Sequence, residues 1–122
     1  MLVEFKALRQ EPNSYRRLFT DEQFDLYIWY ETVHAQSITG FQLVYDSGKV
    51  QKALTWRKGI GFDHMEIDEG DRGINKSPIL VVDGSFEYDR IWGALKDRMV
   101  HVDNEIQNIV AEKIEDYRKS NR

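Results

Sequence analysis

The chain has 122 residues, enough for one domain with a single hydrophobic core and too few for two. Its 41% hydrophobic and 12% aromatic residues exclude a disordered polymer, and a net charge of −4 argues against general attraction to nucleic acid. Without cysteine there are no disulfides, thiolate metal sites or cysteine nucleophiles.

No basic, apolar leader opens the sequence, and no apolar run approaches the roughly 20 residues that cross a bilayer. The expectation is a single cytoplasmic domain over residues 1–122, with no membrane or nucleic-acid partner. Charge is unevenly spread along it. Residues 1–20 carry a net +2, whereas five acids and no base fall between Asp63 and Asp71.

Leu2–Leu8 alternates loosely and is expected as a strand. Glu11-Pro12-Asn13-Ser14 is turn chemistry, because proline fixes φ while Asn and Ser bond to nearby backbone. Tyr15–Phe19 follows as a second short strand, with Arg16 on the face opposite Tyr15 and Arg17.

The clearest pattern runs from Phe24 to Lys58, where Phe24–Glu31, Ile38–Asp46 and Lys49–Lys58 read as a three-stranded antiparallel meander. Side chains alternate with period two. Phe24, Leu26, Ile28, Tyr30, Phe41, Leu43, Tyr45, Val50, Leu54 and Trp56 then form an apolar face, interrupted by Lys52 near the hairpin end. Tyr27, Trp29, Gln42, Val44, Ala53, Thr55 and Arg57 form a semi-polar one. Asp46-Ser47-Gly48-Lys49 supplies a hairpin turn. Pairing Tyr45 with Val50 would set Phe41 opposite Leu54 and Gly40 opposite Thr55. Trp29 is expected opposite Gly40, an aromatic covering a missing side chain.

Gly59–Lys76 reads as a long loop with a short strand around Phe62–Ile67, and Ile79–Val82 as a strand opened by Pro78. Asp83-Gly84-Ser85 is cap chemistry for a helix. Ile91, Trp92, Leu95 and Met99 then fall on one helical stripe, and Ile106, Ile109, Val110, Ile114 and Tyr117 on another. Two helices in a hairpin are expected, with one bent helix as the alternative. The fold class is therefore α+β: an antiparallel meander of about four to six strands packed against one or two C-terminal helices.

Candidate chemistry is sparse. Asp63-His64-Met65-Glu66-Ile67-Asp68-Glu69-Gly70-Asp71 gathers metal-capable ligands but misses the EF-hand spacing, so a solvated acidic loop and no metal or cofactor is the expectation. His64 with Asp68 offers a base and its orienting carboxylate, but no nucleophile stands in a recognisable motif. Gly59-Ile60-Gly61 lacks the rest of a phosphate loop. Arg16-Arg17 has the fork geometry for a phosphate or carboxylate, with a solvated strand edge as the plainer reading.

Gly40-Phe41-Gln42-Leu43-Val44-Tyr45-Asp46 and Ala53-Leu54-Thr55-Trp56-Arg57, with Phe24–Trp29 and Pro78–Gly84, resemble a family of small uncharacterised bacterial proteins. The resemblance spans most of the chain. It implies a self-contained bacterial cytoplasmic domain and brings no activity with it.

The functional expectation is a non-enzymatic domain that binds a small anionic ligand or a protein. Its site is Trp29, Gln42, Thr55, Trp56 and Arg57, with the residue 59–76 loop as a rim. Arg57 would meet the anion and Trp29 would offer a stacking face. The alternative is a small hydrolase or isomerase using His64 with nearby carboxylates, with or without a metal ion, and a homodimer through a sheet edge or the last helix is a further option. Which face the helices cover decides between site and core.

Overall fold

A ribbon that is apolar at every second position can dry only one of its faces, and the helical stripes need such a face to bury against. The computed structural model of the chain describes residues 1–10, 14–31, 37–47, 50–67, 78–80 and 86–120. Seven strands lie side by side in chain order, each antiparallel to the next: β1 (Val3–Glu4), β2 (Tyr15–Thr20), β3 (Phe24–Tyr30), β4 (Ile38–Ser47), β5 (Val50–Arg57), β6 (Gly61–Ile67) and β7 (Pro78–Leu80). Helices α1 (Tyr88–Lys96) and α2 (Asn104–Ser120) follow. The expected α+β meander is thus present, with β6 longer and β1 shorter than the alternation implied.

The helices cover the apolar face. Phe24, Leu26, Ile28, Tyr30, Phe41, Leu43, Tyr45, Leu54 and Trp56 share one buried cluster with Ile91, Leu95, Met99, Ile106, Val110, Ile114 and Tyr117. Each such fully buried Leu, Ile or Phe side chain contributes about 2 kcal/mol of transfer free energy. Leu2 and Phe19 join from the first two strands, and Val50 drops out to the surface at the hairpin end.

Two separate helices form because the chain turns at residues 97–103. Arg98 N–H donates to the Leu95 carbonyl and Val102 N–H to the Met99 carbonyl, tight turns that close α1 before α2 begins. Acid early in α2 (Glu105) and base late (Arg118, Lys119) suit its macrodipole. The Leu2 N–H donates to the Arg98 carbonyl, and Arg98 bonds Asp21 at 2.8 Å, tying this turn to the far end of the sheet.

Trp29 pairs with Gly40 as expected, with an irregularity immediately after, where Tyr30 pairs with Ile38. The hairpin register is corrected by two residues. Ser47 pairs with Val50, so Tyr45 meets Lys52, Phe41 meets Trp56 and Gly40 meets Arg57. Only two residues connect the strands, the tightest common hairpin, where a four-residue turn was expected. A two-residue slip preserves the faces and changes the neighbours.

Candidate functional site

The sheet's second face carries no helix among the described residues. Its side chains fall in rows across the strands, because paired positions share a face. One row is Arg16, Trp29, Gly40, Arg57 and Gly61. The next is Leu18, Tyr27, Gln42, Thr55 and Asp63, extended by Phe5, whose N–H donates to the Leu18 carbonyl. The third is Val3, Thr20, Asp25, Val44, Ala53 and Met65. Asp46, Gln51 and Ile67 form the far end.

Gly40 organises the first row. A β-carbon there would stand 2.5 Å from the Trp56 carbonyl oxygen and 3.2 Å from Trp29 Cε3. The absent side chain lets the Trp29 ring lie across β4. From the other side of the gap the Arg57 guanidinium stacks on that ring, 4.1 Å from its centroid. Stacking fixes the plane of the guanidinium and leaves its N–H edges for a planar anion. Among the described residues no carboxylate pairs with Arg57, which is exposed.

Thr55 Oγ1 accepts from Gln42 Nε2 at 3.0 Å, so the second row is internally bonded. Trp29, Gln42, Thr55 and Arg57 are therefore neighbours on one surface. Trp56 is not with them. It lies on the helix side, buried, with Lys113 Nζ 4.8 Å from its ring centroid. Alternation already put Trp56 on the apolar face, so its place in the expected site conflicted with that pattern.

The N-terminal apolar members of this surface, Val3, Phe5 and Leu18, were missed. Val3 and Phe5 are 54% and 47% exposed, and Leu18 lies beside them. The signal was present: Val3 and Phe5 alternate with buried Leu2 and with Glu4, which faces the core side. The looser N-terminal pattern hid it.

Arg16 and Arg17 do not share a ligand, since adjacent strand residues point to opposite faces. Arg17 Nε and Nη2 each donate to a Glu4 carboxylate oxygen at 2.9 Å, and Nη1 donates to Asp103 Oδ2 at 2.9 Å and to the Tyr30 hydroxyl at 3.2 Å. These bonds hold both carboxyls below the ordinary carboxylate range, and burial pushes the Tyr30 phenol up. On the other face, Arg16 Nη2 donates to the Arg9 carbonyl at 3.2 Å, and its Cζ sits 5.8 Å from the Tyr27 ring centroid.

His64 sits on β6, not in a loop, and is 3% exposed on the helix side. Its Nε2 lies 2.5 Å from the Tyr45 hydroxyl, and the rings of Phe86 and Tyr117 meet it edge-on. Burial pushes the Tyr45 phenol far up, so it stays protonated beside the His64 ring. Its expected carboxylate partner, Asp68, lies outside the described residues, as do Glu69 to Asp71. Among the described residues no three His, Asp or Glu side chains converge as a metal site, and no helix is long and apolar enough to cross a membrane. Gly59 and Gly61 have φ of 80° and 117° and serve the β5–β6 turn.

Clefts lie at the margins of the sheet, one reaching Phe5 and Arg16 and one reaching Asp46. One of about 300 Å³ lies between β2 and residues 4–10, and one of about 220 Å³ between α1 and the ends of β3 and β4. Compared with protein families, curated proteins and solved structures, the chain finds no match in any of the three.

Proposed function

We propose that the chain is a non-enzymatic interaction domain that docks an anionic group of its partner on the helix-free sheet face, at Arg57 and Trp29. One observation carries this reading. An exposed arginine has its guanidinium carbon over a tryptophan ring, with no carboxylate partner among the described residues, on the face that carries no helix among them. Arg17 and Arg98, by contrast, are already committed to acids.

The geometry favours carboxylate or phosphate on a flat carrier. A guanidinium pre-oriented by stacking loses little rotamer freedom when it forms two parallel bonds. Gln42, Thr55 and Tyr27 beside it supply directed polar groups and apolar area. No corresponding support exists for chemistry at His64, whose ring does not meet solvent.

The test follows the Arg57 side-chain Nε–H resonance by NMR during titration with benzoate and phenyl phosphate. Saturable shifts at Arg57 and the Trp29 indole, absent in Arg57→Gln and Trp29→Ala, are the expected result. Titration shifts unchanged by Arg57→Gln would overturn the reading.

A further inference from the structure

The helix-free face is polarised, and its middle rows interleave apolar side chains with Thr20, Asp25, Gln42, Thr55 and Asp63. Arg57, exposed and without a carboxylate partner among the described residues, stands at one end. Asp46, exposed and likewise without an ion-pair partner there, stands at the other, three side-chain rows away on the adjoining strand. Between them lie Phe5, which is 47% exposed although fully apolar, the half-buried Leu18 and Tyr27, and Val44 and Ala53, which are buried at the base of the face.

We infer that the partner on this face is a second copy of the chain, in a two-fold face-to-face stack of the two sheets. This rests on the docking reading above and names its anion: the Asp46 carboxylate of the second copy. A two-fold axis lying between the sheets and across the strands exchanges the two ends of the face while keeping each strand over its own counterpart. The second row then lies over the third, Phe5 over Val3, Gln42 over Val44 and Thr55 over Ala53. Arg57 comes within one strand of Asp46 in the other copy, and the roughly 30° rotation usual between aligned sheets is of the size that closes such an offset. By symmetry the pair forms twice.

Size agrees with a reversible dimer. Six strands about 4.8 Å apart and rows about 6.8 Å apart cover roughly 500 Å² per copy, or about 1,000 Å² for the pair. That is near the lower limit for a specific interface, so dissociation on dilution is expected.

Sedimentation equilibrium over a wide concentration range tests it by charge exchange. Asp46→Arg and Arg57→Glu should each weaken self-association about tenfold or more, since each places like charges together twice. The double variant Asp46→Arg/Arg57→Glu restores both pairs in reversed polarity and should dimerise again, as should an equimolar mixture of the two single variants. Phe5→Asp should remain monomeric in either background.

A wild-type protein that stays monomeric at millimolar concentration overturns the inference. So does a double variant that associates no better than the singles. In either case the Arg57 titration with benzoate still stands by itself, because it measures the docking group and not the second copy.

Discussion

The two faces of this sheet come from the same residues of backbone, yet they are built on opposite principles. On the helix side, Tyr45 is buried against His64, and Arg17 is bonded to Glu4, Asp103 and Tyr30. On the other side, Arg57 and Asp46 stand at the surface without ion-pair partners among the described residues. Arg16 and Arg17 condense the contrast into one dipeptide. Neighbours in sequence, they are separated by the thickness of the sheet, and only one has its charge neutralised. A paired cation inside a fold is explained by the fold, because leaving it unpaired would cost several kcal/mol. An oriented cation outside it has no such explanation, and the docking proposal rests on that difference.

The contrast breaks first at the centre of the core. Phe41→Ala removes a fully buried ring and should cost about 3–5 kcal/mol in urea unfolding. Thr55→Ala, one strand away on the open face, should cost less than about 1 kcal/mol, the scale of a single partly exposed hydrogen bond. Comparable losses would mean that something covers both faces equally.

Gly40 sharpens it next. Gly40→Ala should cost about 1–3 kcal/mol, because the new methyl meets the Trp56 carbonyl 2.5 Å away and the backbone must move. The loss should persist in a Trp29→Ala background, since the ring at 3.2 Å can yield and the main chain cannot. Full rescue by Trp29→Ala would relocate the clash to the indole and make the glycine a device of the open face alone.

The alternation in Phe24–Tyr30 and Ile38–Tyr45 made the two faces and the Trp29–Gly40 pairing readable before any coordinates, because period two depends on nothing but strand geometry. The two helical stripes were readable too, but the choice between two helices and one bent helix waited for the turn at residues 97–103. What could not be read was of another kind. Hairpin register depends on whether two or four residues turn, and Asp-Ser-Gly-Lys serves either. The pairing of Arg17 with Asp103 joins residues 86 apart in the chain, which no local pattern encodes. Trp56 entered the expected site through its neighbours Thr55 and Arg57, although its own parity already placed it in the core.

The arginine staple gives a pH-dependent comparison. Arg17→Met should cost about 2 kcal/mol at neutral pH, between the exposed and buried limits for an ion pair. Glu4 has its folded-state value lowered below the ordinary 4.5, chiefly by the Arg17 hydrogen bonds. Its contribution is therefore complete above that value and is lost as pH falls below it through the depressed one. Wild type and Arg17→Met should converge in stability on acidification below about pH 4.5, followed by urea midpoints at several pH values. A difference that stays constant with pH would make Arg17 a packing residue and not an ionic one.

The smallest expected effect is the one that separates the faces most sharply. Arg57→Gln should shift stability by no more than about 0.5–1 kcal/mol, the range of an exposed cation–π contact. Nothing buried loses a partner when that charge goes, since the guanidinium rests on Trp29 and bonds no carboxylate among the described residues. Arg17, on the opposite face, would leave Glu4 with two lost bonds in the same experiment. Urea unfolding of the two glutamine variants side by side measures this directly. If Arg57→Gln proved as costly as Arg17→Gln, the guanidinium over Trp29 would belong to the architecture, and the docking reading would lose the charge it rests on.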